Sequence, residues 1–105
     1  MNIMPRFMSR VQLNGRPTAE QYEKLHKQMK ERGFTRVIES SERKWYWLSH
    51  GEYYRETGVS HDHVLADAKA AATTVSTDYE VLVSEAPSSK WFNLKAATKA
   101  DAAAA

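Results

Sequence analysis

The residues of this chain best suited to chemistry are arginines and aromatic side chains set at strand spacing. Arg6, Met8, Arg10 and Gln12 alternate with Phe7, Val11 and Leu13, the period-two pattern of a half-buried strand. With the apolar set turned to a core, Arg6 and Arg10 project from the opposite face, where a planar guanidinium fork suits phosphate oxygens. Trp45-Tyr46-Trp47 offers flat π surfaces on which an unstacked base could lie, and alternation turns at least one of the three away from the core. With Arg36 as a further cation, Arg6, Arg10, Arg36, Trp45, Tyr46 and Trp47 form the candidate nucleic-acid-binding set, in the open-sheet mode of single-strand recognition. The alternative is a solvated or dimer-forming sheet face with the aromatics in the core, and the basic-glycine-aromatic consensus of RNA-recognition motifs is absent.

Other chemistries find less support. His61-Asp62-His63 has ligand-type side chains, but at a helix start the two imidazoles diverge, and no HExxH or second cluster completes a site. These are read as first-turn residues, with Asp62 placed favourably against the helix dipole, and His26 and His50 as surface or packing residues. No metal and no cofactor is expected. Neither a G-x-S-x-G turn nor a glycine-rich phosphate loop occurs. Metal-independent RNA cleavage needs only a base for the 2′-hydroxyl, an acid for the leaving oxygen and a cation for the phosphorane. Those residue types are common enough that they single out no catalytic group.

The elements that must position these side chains follow from periodicity. Asn14-Gly15-Arg16-Pro17 ends the first strand. Thr18 with Gln21 forms a capping-box signature, and Tyr22, Leu25 and Met29 share a helical stripe closed by Gly33. Phe34 to Glu39 reads as a second strand of ambiguous facing, and Trp45 to Leu48 as a third, hairpin-paired one; His50 to Gly58 extends it or forms a loop. Ser60 caps a second helix with Val64, Ala68, Ala71, Ala72 and Val75 on one side. Tyr79 to Ser84 alternates as a fourth strand, and Trp91 to Leu94 adds a short edge strand. The order β-α-β-β-α-β predicts an α+β, ferredoxin-like sandwich: a four-stranded antiparallel sheet with two helices on one face and the other face open for work.

Bulk properties fit one domain. At 105 residues the chain is long enough for a single core, expected over 1–94, with 95–105 an alanine-rich, disordered tail. The net charge of +2 is too small to announce a nucleic-acid binder; its distribution matters more, with +3 over residues 5–16 and −3 over 50–67. The chain has no cysteine, which fits a reducing compartment. The opening MNIMPRFMSR lacks the apolar run of a signal peptide, and no stretch approaches a membrane span, so the expected location is the cytoplasm.

Four short pieces, Arg6 to Leu13, Tyr22 to His26 with Met29, Gly33 to Ile38, and Tyr79 to Glu85, together resemble the GhoS family, a pattern shared with small prophage and plasmid proteins. The resemblance spans most of residues 6–94. It implies a ferredoxin-like fold and the antitoxin role of a type V toxin-antitoxin system, in which an endoribonuclease cleaves the message of a small membrane toxin. That fold is similar to the small ferredoxin-like nuclease of CRISPR systems, whose metal-binding aspartate closes the first strand. Asn14 stands in the corresponding place, and a neutral amide is a poor ligand for magnesium. Single-stranded RNA and a second copy packed on the open sheet face are the expected partners, with a non-catalytic interaction module as the rival reading.

Overall fold

A computed structural model describes residues 4–105; the readings of a leader and of a domain beginning at residue 1 extend to residues 1–3, outside the described residues. The chain order is β1 (Arg6–Leu13), α1 (Ala19–Glu31), β2 (Val37–Glu39), β3 (Trp45–Trp47), β4 (Glu52–Glu56), α2 (His61–Thr73), β5 (Tyr79–Glu85), β6 (Ala96–Ala97) and α3 (Lys99–Ala104). It is a small α+β domain with antiparallel strands.

The alternation read in β1 holds: Phe7, Ser9, Val11 and Leu13 are buried, while Arg6, Arg10 and Gln12 are exposed. Both predicted helices form for the local reasons given. At α1 the Thr18 hydroxyl accepts from the Gln21 N–H at 3.1 Å and the Gln21 amide oxygen accepts from the Thr18 N–H at 2.8 Å, satisfying two donors that the first turn leaves orphaned. Gly33, at φ +89°, then turns the chain out of the helix. At α2 the Ser60 hydroxyl accepts from the His63 N–H at 3.1 Å. The alanines at 68, 71 and 72 are fully buried and let this helix sit close to the sheet. Both helices pack on the same side of β1, around Phe7, Val11, Leu25, Met29, Phe34, Tyr53 and Val64.

The sheet differs from the expected single four-stranded one. Among the described residues six strands form two three-stranded sheets, in the orders β4-β1-β5 and β2-β3-β6, accompanied by three helices. Only Thr35 and Tyr54, among the described residues, link the two ladders, through backbone bonds of 2.8 Å in each direction. The strand beside β1 is therefore Glu52–Glu56, the segment left open between strand and loop, and the aromatic run pairs with β2 instead. Gly51 sits at the break. Its φ of +85° reverses the chain after Leu48, its carbonyl accepts from the Val11 N–H at 2.8 Å, and a Cβ there would meet the Val11 carbonyl oxygen at 2.8 Å.

Two further expectations change near the C-terminus. Trp91 to Leu94 is not a strand, because Asn93 sits at φ +62° and cannot continue an extended backbone; the edge strand is β6, two residues later, opposite Trp45 and Tyr46. Residues 95–105, read as a tail, carry β6 and α3, whose first turn is closed by a Thr98–Asp101 capping box. The facing of the second strand is resolved by burial on both sides: Val37 and Ile38 are both buried. Among the described residues no helix is long and apolar enough to cross a membrane.

Candidate nucleic-acid interface

Arg6 and Arg10 leave the helix-free face of β1 as expected, but their neighbours alter its character. Antiparallel register sets Glu56 opposite Arg6, Glu52 opposite Arg10, and Glu80 opposite Gln12. Cross-strand partners share a face, so two guanidiniums stand among three carboxylates. The expected cationic surface instead carries one more carboxylate than guanidinium, with Met8, Tyr54 and the 55 % exposed Leu82 between the charges.

The aromatic residues concentrate elsewhere. A cleft of about 970 Å³ opens between the Arg6 end of the first sheet and the β2–β3 hairpin. Arg6, Lys90, Trp45, Tyr46, Tyr54 and Trp91 line it, together with Glu39, Glu42 and Glu56. Tyr46 and Trp91 meet at 5.6 Å between ring centroids, tilted by 57°, within the range of favourable aromatic contacts. Burial, followed by the Glu56 carboxylate, raises the Tyr54 phenol above its ordinary range, so it stays protonated. It donates a long bond of 3.4 Å to Glu56. Around the hairpin and the segment leading to β6, Arg36, Arg43, Lys44, Lys90 and Lys95 outnumber Glu39 and Glu42.

Of the six residues read from sequence, Arg6, Trp45 and Tyr46 come together in this cleft. Arg10 lies farther along β1 between Glu52 and Leu82. Arg36 instead covers Trp47, its guanidinium carbon 5.3 Å from the ring centroid, a cation–π contact. Tyr54, Lys90 and Trp91 were missed. The available signal was Lys90-Trp91-Phe92 following Pro87-Ser88-Ser89, an aromatic pair behind a turn, with Phe92 92 % exposed.

A second group of polar rings gathers beneath α1. His26 Nδ1 lies 2.6 Å from the Tyr53 hydroxyl, and its Nε2 is buried without a hydrogen-bond partner. The His50 ring stands edge-on to His26 at 5.3 Å and tilted against Tyr22 at 4.1 Å. The Tyr22 hydroxyl accepts from the Leu13 N–H at 3.1 Å. Burial, then Arg36 and His50, hold the His26 imidazole down to about 4.

The His61-Asp62-His63 run behaves as first-turn residues. His61 Nε2 reaches the Val83 carbonyl at 2.9 Å, and His63 faces Asp67 at 3.4 Å. Asn14 donates to Asp78 at 3.0 Å. Among the described residues no group of three or more His, Cys, Asp or Glu side chains is placed to hold a metal ion. No family model matches the sequence, and no curated protein matches it.

Proposed function

We propose that the chain binds single-stranded RNA in the cleft between its two sheets, as the GhoS-like antitoxin reading implies. The observation that carries the proposal is the gathering of Trp45, Tyr46, Tyr54 and Trp91 around Arg6 and Lys90. Stacking on aromatic faces contributes roughly 1–3 kcal/mol per base and tolerates any sequence, while two cations suit a short run of phosphates. The carboxylates in the lining limit the electrostatic share, so stacking dominates. A ferredoxin-like plan supports the same reading. The Thr35 segment, β4, β1 and β5 follow one another in space, α1 and α2 occupy the crossovers, and the β2–β3 hairpin is then an elaboration that builds the cleft.

The test is fluorescence titration with short single-stranded RNAs at several salt concentrations. The expected outcome is tryptophan quenching, with log K falling against log salt by a slope of roughly −1.4, the value for two phosphates. Trp45→Ala and Trp91→Ala should each weaken binding by roughly tenfold or more, whereas Arg10→Gln should leave it nearly unchanged. Absence of binding at low salt, or equal loss for all variants, removes the proposal. Incubation of the same RNAs, resolved on a denaturing gel, tests whether binding leads to cleavage.

A second reading draws on the open face of the first sheet. Its interleaved arginines and glutamates, with Leu82 exposed among them, favour a protein partner over a phosphate chain, in a non-catalytic interaction module. Retained partner binding in the Trp45→Ala variant would identify that case.

A further inference from the structure

We propose that β5 is a strand-addition edge taking a second copy of this chain, antiparallel about a two-fold axis at Leu82. The site is independent of the cleft and lies at the rim of the first sheet, where Leu82 borders its open face. Within the described residues β5 pairs with β1 alone and ends the order β4-β1-β5. Two backbone bonds fix its phase: Asn14 N–H to the Asp78 carbonyl at 3.0 Å, and Ala86 N–H to the Arg6 carbonyl at 2.8 Å. The main-chain groups of even-numbered residues therefore turn toward β1. Those of Tyr79, Val81, Val83 and Glu85 turn outward, an open row of donors and acceptors.

Several of the devices that normally blunt such an edge are missing. Tyr79 to Glu85 contains no proline, lysine or bulge. One outward group, the Val83 carbonyl, is occupied by His61 Nε2 at 2.9 Å. A side chain from the first turn of α2 thus stands where another strand's N–H would bond. Beside it runs a groove of about 460 Å³ lined by His61, Leu65, Val81, Leu82 and Val83 among others, which an added strand would cover.

Self-complementarity selects a second copy as the occupant. With the axis at Leu82, Val81 lies opposite the partner's Val83, Tyr79 opposite the partner's Glu85, and Glu80 opposite the partner's Ser84, whose hydroxyl can donate to the carboxylate. No like charges face each other, and every outward main-chain group of β5 finds a mate. Leu82, 55 % exposed, meets its own copy at the axis. Shifting the axis to Val81 sets Glu80 against an apolar side chain and leaves Glu85 unmatched. In the dimer the Val83 carbonyl passes from His61 to the amide of the partner's Val81, and the first sheet becomes continuous across both copies.

Sedimentation velocity of the full chain from micromolar to millimolar concentration tests this, together with amide exchange at Val81 and Val83. The expected result is a monomer–dimer equilibrium in which both amides gain protection as concentration rises. Leu82→Glu alters an exposed side chain and places two carboxylates together at the axis, so it should weaken the dimer by roughly tenfold or more. Val83→Pro removes an outward N–H that β1 does not use, and should also abolish dimerisation while near-UV circular dichroism reports a folded chain. A concentration-independent monomer overturns the proposal. So does a dimer indifferent to both variants, or amides at 81 and 83 whose exchange ignores concentration.

Discussion

His26 is a helix residue whose ring is enclosed between α1 and β4, and its protonation state is set by that enclosure. Burial raises the Tyr53 phenol well above its ordinary range, so Tyr53 keeps its proton, and its hydroxyl is hydrogen-bonded to His26 Nδ1 across 2.6 Å. The imidazole in turn resists a second proton, because burial, Arg36 and His50 all disfavour the cation and hold it to about 4 against 6.5 when free. The unfolded chain therefore takes up a proton near pH 6.5 that the native state refuses until near pH 4. Stability that is fully present above pH 6.5 is lost as pH falls toward 4, by roughly 2–3 kcal/mol for this group. Urea unfolding at pH 7, 5.5 and 4.5 should show that loss, and a His26→Gln variant should have a shallower profile. Equal slopes for the two proteins would mean that the ring is solvated in the folded chain.

Between elements, the strongest polar tie is Arg55 to Asp67, joining β4 to α2 at 2.7 Å with side chains only 13 % and 27 % exposed. Arg55 also lies over the Phe34 ring, 5.1 Å from its centroid. Removing one partner strands the other charge in a partly dry site, so Asp67→Ala should cost about 2–4 kcal/mol. Arg55→Met with Asp67→Ala should recover much of that loss, and thermal unfolding of both variants measures the difference. The elements carrying this tie differ in how openly the sequence displays them. Both helices were legible because capping by Thr18 and Ser60 and the stripes through Leu25 and Val64 are local. The choice of neighbour for β1 was not, since Trp45–Leu48 and Glu52–Glu56 both suit a strand and the deciding contact is the long-range fit of Gly51 against Val11. The site was half legible for a related reason. Parity correctly sent Arg6 and Arg10 outward, but only cross-strand register reveals Glu52 and Glu56 beside them. Lys90 and Trp91 reach the cleft from a distant loop.

At the scale of the molecule, the two sheets have unequal support. The first carries the core from Phe7 to Ala72 under two helices. The second buries Val37, Ile38 and Leu48, which lie outside that cluster, is bordered by a strand of two residues, and meets the first ladder through the Thr35–Tyr54 pair. Cooperative units with few shared apolar contacts open separately. The hairpin should accordingly open without unfolding the core, and because it builds one wall of the cleft, that opening would admit or release a ligand. Native-state hydrogen exchange distinguishes the two ladders. The Ile38 and Tyr46 amides should exchange through an opening about 2 kcal/mol cheaper than global unfolding, roughly thirtyfold faster than the Val11 amide bonded to Gly51. Low denaturant should barely change the hairpin rates while accelerating Val11, since local opening exposes little surface. Identical protection and identical denaturant dependence at Ile38, Tyr46 and Val11 would mean that the sheets unfold as one, leaving the cleft wall no freedom of its own.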